Sequence, residues 1–143
     1  MSNLDLPNPR MMDVAVPANL HIGLAQDEVE ARGWSLSCEE ARVLLGDPAV
    51  ALVDLRDRLE RERHGAIPGS VHAPYPELRE NVERGGLLHE LAVATGRRLI
   101  FYCAYGERSA MAVQTAQEAG LVNSCHIKGG LDAWKKACGP VRC

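Results

Sequence analysis

The chain has 143 residues, of which 46% are hydrophobic and 24% charged, and its formal net charge is −3. This length predicts one domain with a real core, and the acidic balance argues against a nucleic-acid partner. No apolar run approaches the ~20 residues of a membrane span. The five cysteines are odd in number and widely spread, and the first residues do not resemble a secretory signal, so a cytoplasmic protein is expected. No Cys/His cluster has zinc spacing, so no metal or other cofactor is expected.

The first third of the chain predicts an arm, two helices and a strand. Residues 1–20 hold three prolines among scattered apolar residues and are interpreted as an N-terminal arm. A short helix is expected over 24–31. Ser37, with Glu40 three residues on, matches a capping box that opens a second helix. The continuous apolar run 50–54 predicts a strand buried on both faces.

The rest of the chain alternates strands and helices. A charged segment, 56–64, leads into a turn-rich connector with a short strand at 70–73. The remaining predicted elements, in chain order, are a helical stretch over 77–96 broken at Gly85-Gly86, a strand over 99–102, a helix over 108–119, a strand over 123–127 and a helix over 131–137. Such alternation predicts an α/β sandwich with a mainly parallel sheet, whose ligands bind beyond the carboxyl ends of the strands.

The most informative segment follows the strand 99–102, which delivers Cys103 into a tight, glycine-containing loop. Backbone N–H groups in such a loop point inward, and the N-terminus of the next helix adds partial positive charge. Both favour an anion at the loop centre and thiolate over thiol at the cysteine. The sequence therefore predicts a nucleophilic sulfur, with the rest of the site drawn from Ala104, Tyr105, Gly106, Glu107, Arg108 and Ser109.

Side chains outside this loop are given smaller roles. Asp54 and Arg56, at the end of an earlier strand, are expected to form an ion pair that braces the loop. None of His64, His72 and His126 has a recognisable sequence pairing with the cysteine, so each is interpreted as a satisfied or surface histidine.

Three blocks of the sequence, within about residues 37–137, resemble the single-domain rhodaneses, a family of sulfurtransferases. Residues 52–56 resemble the family's Asp-x-Arg motif, and 65–70 resemble its Gly-His-Ile-Pro-Gly-Ala turn. The loop 103–109, followed by 126–134 with its Gly-Gly and Trp, resembles the active loop and the C-terminal signature.

The resemblance implies a fold and a reaction. It implies a single domain over 21–143, a rhodanese-like three-layer sandwich with a mainly parallel central sheet flanked by helices on both faces. The Cys103 thiolate would take a sulfane sulfur from thiosulfate or a persulfide, and would pass it to cyanide or a thiol, either a small molecule or a protein. Arg108 would pair with the anionic donor or stabilise the leaving group. Small rhodaneses often dimerise, so a homodimer is expected.

Other classes of protein stay open. Cysteine phosphatases place five residues between cysteine and arginine, whereas four separate Cys103 from Arg108, and Glu107 would repel a phosphate dianion. This argues against a phosphatase or an arsenate reductase. A non-catalytic rhodanese-like binding module would usually lack the cysteine. A sulfur-relay carrier fits better, because a loop with one acid and one base predicts that thiosulfate is a mediocre donor.

Overall fold

The computed structural model describes residues 26–142, centred on a parallel sheet. Its strands are β1 (Ser35–Leu36), β2 (Val50–Asp54), β3 (Val71–His72), β4 (Arg98–Tyr102) and β5 (Ser124–Ile127). They lie in the order β1-β5-β4-β2-β3, and every neighbouring pair is parallel. The predicted fold class is confirmed. The arm expected over 1–20 lies outside the described residues.

Seven α-helices accompany the sheet within residues 26–142. They are α1 (26–31), α2 (Cys38–Val43), α3 (Arg58–His64), α4 (Leu78–Val82), α5 (Leu87–His89), α6 (Glu107–Glu118) and α7 (Gly130–Lys136). A 3₁₀ turn, Tyr75–Glu77, runs into α4, and a π-helical turn, Glu90–Ala94, continues α5. Within this range, no helix has the length and apolar character needed to cross a membrane.

The core has two layers because successive strand residues point to opposite faces of the sheet. On β4, Leu99 and Phe101 pack in the cluster that includes residues of α1, α4, α5 and α6. Ile100 and Tyr102 pack in the opposite cluster, with residues of α2 and α7. Helices therefore cover both faces, as the three-layer expectation requires.

Helix α3 lies in the charged segment 56–64, for which no helix is predicted from sequence. Asp57 Oδ1 accepts a hydrogen bond from the Glu60 amide at 2.8 Å, and Glu60 Oε1 accepts one from the Asp57 amide at 3.0 Å. This capping box starts the helix. The helix buries no residue, so it lacks the apolar stripe by which helices are detected in sequence. The capping box predicted at Ser37 and Glu40 is confirmed.

Strands β2 and β4 are neighbours in full register, with Asp54 opposite Tyr102. The chain leaves β2 for β3 on one side and, after β4, continues to β5 on the other. Ligands of open parallel sheets bind where the connections diverge in this way. Asp54 ends β2 and Cys103 follows β4, so the two predicted site positions lie at this point.

Candidate active site

The sulfur of Cys103 lies at the centre of a ring of hydrogen-bond donors and acceptors. It accepts hydrogen bonds from the Gly106 amide at 3.1 Å and the Ser109 amide at 3.4 Å. It lies 3.4 Å from Glu107 Oε1 and 3.6 Å from Ser109 Oγ, two acceptors within reach of the single thiol proton. Cys103 is fully buried. The loop thus brings the predicted inward-pointing amides to the sulfur.

Two glycines let this loop close tightly. Gly106 has φ +102°, and a Cβ there would lie 2.7 Å from Gln26 Oε1. Gly130 has φ +66°, and a Cβ there would lie 2.6 Å from the Cys103 carbonyl oxygen. The start of α7 packs directly under the loop, where the Leu131 amide donates to that carbonyl at 2.8 Å. Glycine is needed at both positions because of the positive φ, and at Gly130 also because of the close backbone approach.

The first turn of α6 carries the charged residues of the loop. The helix begins at Glu107, one residue earlier than predicted, with Gly106 as its N-cap. Arg108 donates two hydrogen bonds to the Glu60 carboxylate, at 3.0 and 2.9 Å. The bidentate pair from Arg108 lowers the pKa of Glu60 to about 2 and raises that of Arg108. Arg108 therefore lies at the loop with its charge already paired.

The expected ion pair of Asp54 and Arg56 is present and completely buried. Arg56 Nε donates to Asp54 Oδ1 at 3.0 Å, and Arg56 Nη2 donates to Oδ2 at 2.8 Å. The same carboxylate accepts from Arg61 at 2.7 Å and from the Tyr102 hydroxyl at 2.8 Å. Burial opposes ionisation of Asp54, but hydrogen bonds from Arg56 outweigh it, so its pKa lies below its usual value. This network joins β2, α3 and the end of β4 beside the loop.

A histidine that has no sequence pairing with the cysteine contacts the loop. His126, on β5, is fully buried, and its Nδ1 lies 2.8 Å from Ser109 Oγ. Its Nε2 lies 3.1 Å from Ser35 Oγ on β1. The interpretation of a satisfied histidine is right, yet the partner that satisfies it touches the Cys103 sulfur. Only the strand order, which places β5 beside β4, could have revealed this.

Two further residues that interact with the loop have no sequence signal. Glu60 lies in a charged segment for which the sequence predicts no helix. Burial raises the pKa of Tyr75, and its interaction with Cys103 raises it further. Of the predicted loop residues, Tyr105 is 62% exposed. It lines a cavity of about 110 Å³ between α3 and the start of α7, together with Ala104.

The buried position of His126 predicts that the stability of the protein depends on pH. Desolvation lowers the pKa of His126 to about 4, below the ordinary 6.5 that it regains on unfolding. The unfolded state therefore binds a proton first as pH falls, and folded-state stability is lost below pH 6.5. We expect this histidine alone to lower the free energy of unfolding by about 3 kcal/mol between pH 6.5 and pH 4, with the carboxylates adding to the fall below about pH 5.5. Urea titrations at several pH values measure this.

The control for that prediction is a His126→Asn variant, which keeps a polar group but has no titration in this range. Its stability should be flat between pH 6.5 and 5.5, above the region where the carboxylates begin to titrate. Equal slopes for the variant and the native chain would contradict the prediction.

Comparison with known proteins identifies relatives of this chain. A family model described as rhodanese-like domain matches residues 37–137. The thiosulfate sulfurtransferase/rhodanese-like domain-containing protein 3 of Mus musculus is 31% identical over 100 residues, or 66% of this chain and 64% of the mouse protein. The thiosulfate:glutathione sulfurtransferase of Saccharomyces cerevisiae is 31% identical over 107 residues, or 70% of this chain and 76% of the yeast protein. The chain thus matches slightly less than two thirds of the mouse protein's length.

A solved structure is also similar in sequence. It is a protein of unknown function from Rhodopseudomonas palustris, described as a possible tyrosine phosphatase. It superposes with a TM-score of 0.74 at 36% identity, covering 84% of this chain and 92% of that chain.

Proposed function

Because the chain belongs to the rhodanese-like family, we propose that it is a sulfurtransferase that carries a sulfane sulfur on Cys103 as a persulfide. The family match and the sulfurtransferase relatives support sulfur transfer in general. The observation that carries the role of Cys103 is the pair of amides, from Gly106 and Ser109, that donate to its sulfur. Such donors stabilise a charged sulfur far better than a neutral one.

The reaction has two displacements at sulfur. The Cys103 thiolate attacks the outer sulfur of the donor, a new S–S bond forms, and the donor's own bond to that sulfur breaks. The leaving group, sulfite or a thiolate, takes the electron pair. An acceptor thiolate or cyanide then attacks the outer sulfur of the persulfide, and Cys103 departs as a thiolate. The loop amides serve both steps because the charge returns to the same sulfur.

The charges around the sulfur favour a persulfide over thiosulfate as the donor. Glu107 places a carboxylate 3.4 Å from the sulfur, and the charge of Arg108 is paired with Glu60. A thiosulfate dianion approaching Cys103 therefore meets a negative group and no unpaired loop cation. An organic persulfide carries no second charge on the sulfur adjoining the one transferred, and so is repelled less.

Intact-mass spectrometry of the reduced protein tests this proposal. Brief incubation with thiosulfate or with glutathione persulfide should add one sulfur atom, about 32 Da, and cyanide or a thiol should remove it. The yeast relative is named for thiosulfate and glutathione, which makes both compounds apt probes. Faster loading from the persulfide supports the donor preference, and faster loading from thiosulfate contradicts it. If neither donor loads Cys103, sulfur transfer is wrong and a binding module becomes the better hypothesis.

Glu107 can be tested directly as the residue that disfavours thiosulfate. A Glu107→Gln variant keeps the oxygen that accepts from the thiol and loses the charge. We expect its ratio of thiosulfate loading to persulfide loading to rise about three- to tenfold at low salt, and the gain to shrink as salt is added. Stopped incubations analysed by mass give both rates.

The matched control is Glu118→Gln, which makes the same change in net charge at the exposed far end of the same helix. It should leave the ratio unchanged. An equal rise in both variants would mean that only net charge matters, and no rise in Glu107→Gln would remove Glu107 from donor selection.

A phosphatase is the second candidate, since the similar Rhodopseudomonas palustris protein is described as a possible tyrosine phosphatase. The site argues against it here. Four residues separate Cys103 from Arg108, and that arginine is already paired with Glu60. A phosphate dianion would also meet Glu107. Hydrolysis of an aryl phosphate that depends on Cys103, in a protein that no sulfane donor loads, would reverse this ranking.

A further inference from the structure

The Ser109 hydroxyl is shared between the reactive sulfur and His126. Its oxygen lies 3.6 Å from Cys103 Sγ, 2.8 Å from His126 Nδ1 and 3.2 Å from the Gly106 carbonyl oxygen. That carbonyl also accepts from the Ala110 amide at 3.1 Å, and its second lone pair can accept from the hydroxyl. The hydroxyl has one proton, for which the carbonyl, the histidine and a charged sulfur compete, and an anionic sulfur is the strongest of these acceptors.

The tautomer of His126 decides this choice. With its proton on Nδ1, the ring donates to Ser109 Oγ, and the hydroxyl proton is free to point at the sulfur. Ser35 then donates to Nε2. With its proton on Nε2, the ring donates to Ser35 Oγ, and its Nδ1 accepts a hydrogen bond from the Ser109 hydroxyl, whose lone pair then faces the sulfur. The first arrangement suits an anionic sulfur and the second suits a thiol that donates.

We infer that His126 is a positioning residue, which, in its neutral Nδ1–H form, turns the Ser109 hydroxyl into a third hydrogen-bond donor to the charged Cys103 sulfur. The inference rests on the proposed role of Cys103 and names a residue, on a different strand, that serves it. His126 keeps one proton whether the sulfur is a thiol or a thiolate. The proton that the thiol loses goes to water.

The surroundings of His126 keep it neutral. The ring is fully buried, and desolvation lowers its pKa to about 4. The nearest charge that favours protonation is Glu30 on α1, which is itself paired with Lys128 at 2.8 Å. On the other side of Ser109, the charged group facing the sulfur is Glu107. An imidazolium is therefore not the species that acts near neutral pH.

Alkylation of Cys103 tests the inference without any sulfur donor. Iodoacetamide reacts with the thiolate, and peptide mass spectrometry separates Cys103 from the other cysteines. A His126→Leu variant removes both ring nitrogens at similar volume. A His126→Asn variant keeps a side-chain N–H at about the position of Nδ1. Urea titrations show whether each variant is folded under the conditions of the assay.

The two variants should differ. We expect His126→Leu to slow Cys103 alkylation at pH 7 by about fivefold and to shift the pH–rate profile of that reaction to higher pH. The alkylation rate of His126→Asn should stay within about twofold of the rate of the native chain. Adding Ser109→Ala to His126→Leu should cause no further loss beyond Ser109→Ala alone, because the histidine acts through that hydroxyl.

Three results would overturn the inference. One is a folded His126→Leu protein with the native profile. Another is a His126→Asn protein as slow as His126→Leu, since only the ring would then matter. The third is a double variant in which the losses of alkylation rate caused by His126→Leu and Ser109→Ala simply add. Alkylation needs no sulfur donor, so the test of His126 is separate from the test of sulfur transfer. Native alkylation behaviour can accompany a failure of sulfur loading, and normal sulfur loading can accompany a failure of this inference.

Discussion

Replacing Cys103 by serine should abolish sulfur loading and lower sulfurtransferase activity by at least about a thousandfold. A serine hydroxyl is not ionised near neutral pH and forms no persulfide. The substitution is nearly isosteric at a fully buried position, and the loop amides still have an oxygen to bind. Intact mass after exposure to glutathione persulfide, alongside a steady-state cyanide or thiol assay, measures the loss.

The matched control is Cys138→Ser, which removes an exposed cysteine near the end of the described chain. It should load and turn over normally. Cys125 is not expected to substitute for Cys103, because burial raises the pKa of its thiol to about 11 and keeps it protonated. Retained sulfur loading in Cys103→Ser would contradict the assignment of the nucleophile.

Replacing Asp54 by alanine should cost about 3–5 kcal/mol of the free energy of unfolding. The carboxylate accepts from Arg56, Arg61 and Tyr102, and its removal leaves the Arg56 guanidinium buried beside an empty space. The pKa of Asp54 lies below its usual value, so this stabilisation is present at neutral pH and is lost only in acid. Urea unfolding at pH 7 measures the change.

Asp57→Ala is the surface control for this prediction. Asp57 is an exposed N-cap of α3, and its loss should cost about 1 kcal/mol. A cost for Asp54→Ala no larger than that of the control would mean that the buried network adds little. A folded Asp54→Ala protein with slowed sulfur loading would show that the network also holds the loop in shape.

Two inner strands of the sheet, β2 and β4, were predictable from the sequence because they contain continuous apolar runs. Residues 50–54 and 98–102 are buried on nearly every position, and such runs need no knowledge of their neighbours. The cysteine loop was predictable for a different reason. All the groups of the loop that donate to the sulfur, from Gly106 to Ser109, lie within six residues of Cys103. A short stretch of sequence therefore contains them all.

The partners of that loop were not predictable because they come from distant segments. Glu60 is 48 residues from Arg108, in a helix with no apolar stripe. His126 is 17 residues from Ser109 and reaches it only because β5 lies beside β4. A single sequence contains no signal for such pairs, so the electrostatic environment of the sulfur required the structure.

Helix α3 carries a charge that affects donor selection on a residue that does not pack in the core. The helix supplies Glu60, which forms an ion pair with Arg108 of the loop. It contributes no buried residue to either layer of the core. Changes at Glu60 can therefore alter the charge that an incoming donor meets while leaving the packing of the sheet untouched. In this chain, donor preference can drift or be engineered at a residue outside the core, at the cost of one hydrogen bond in the α3 capping box.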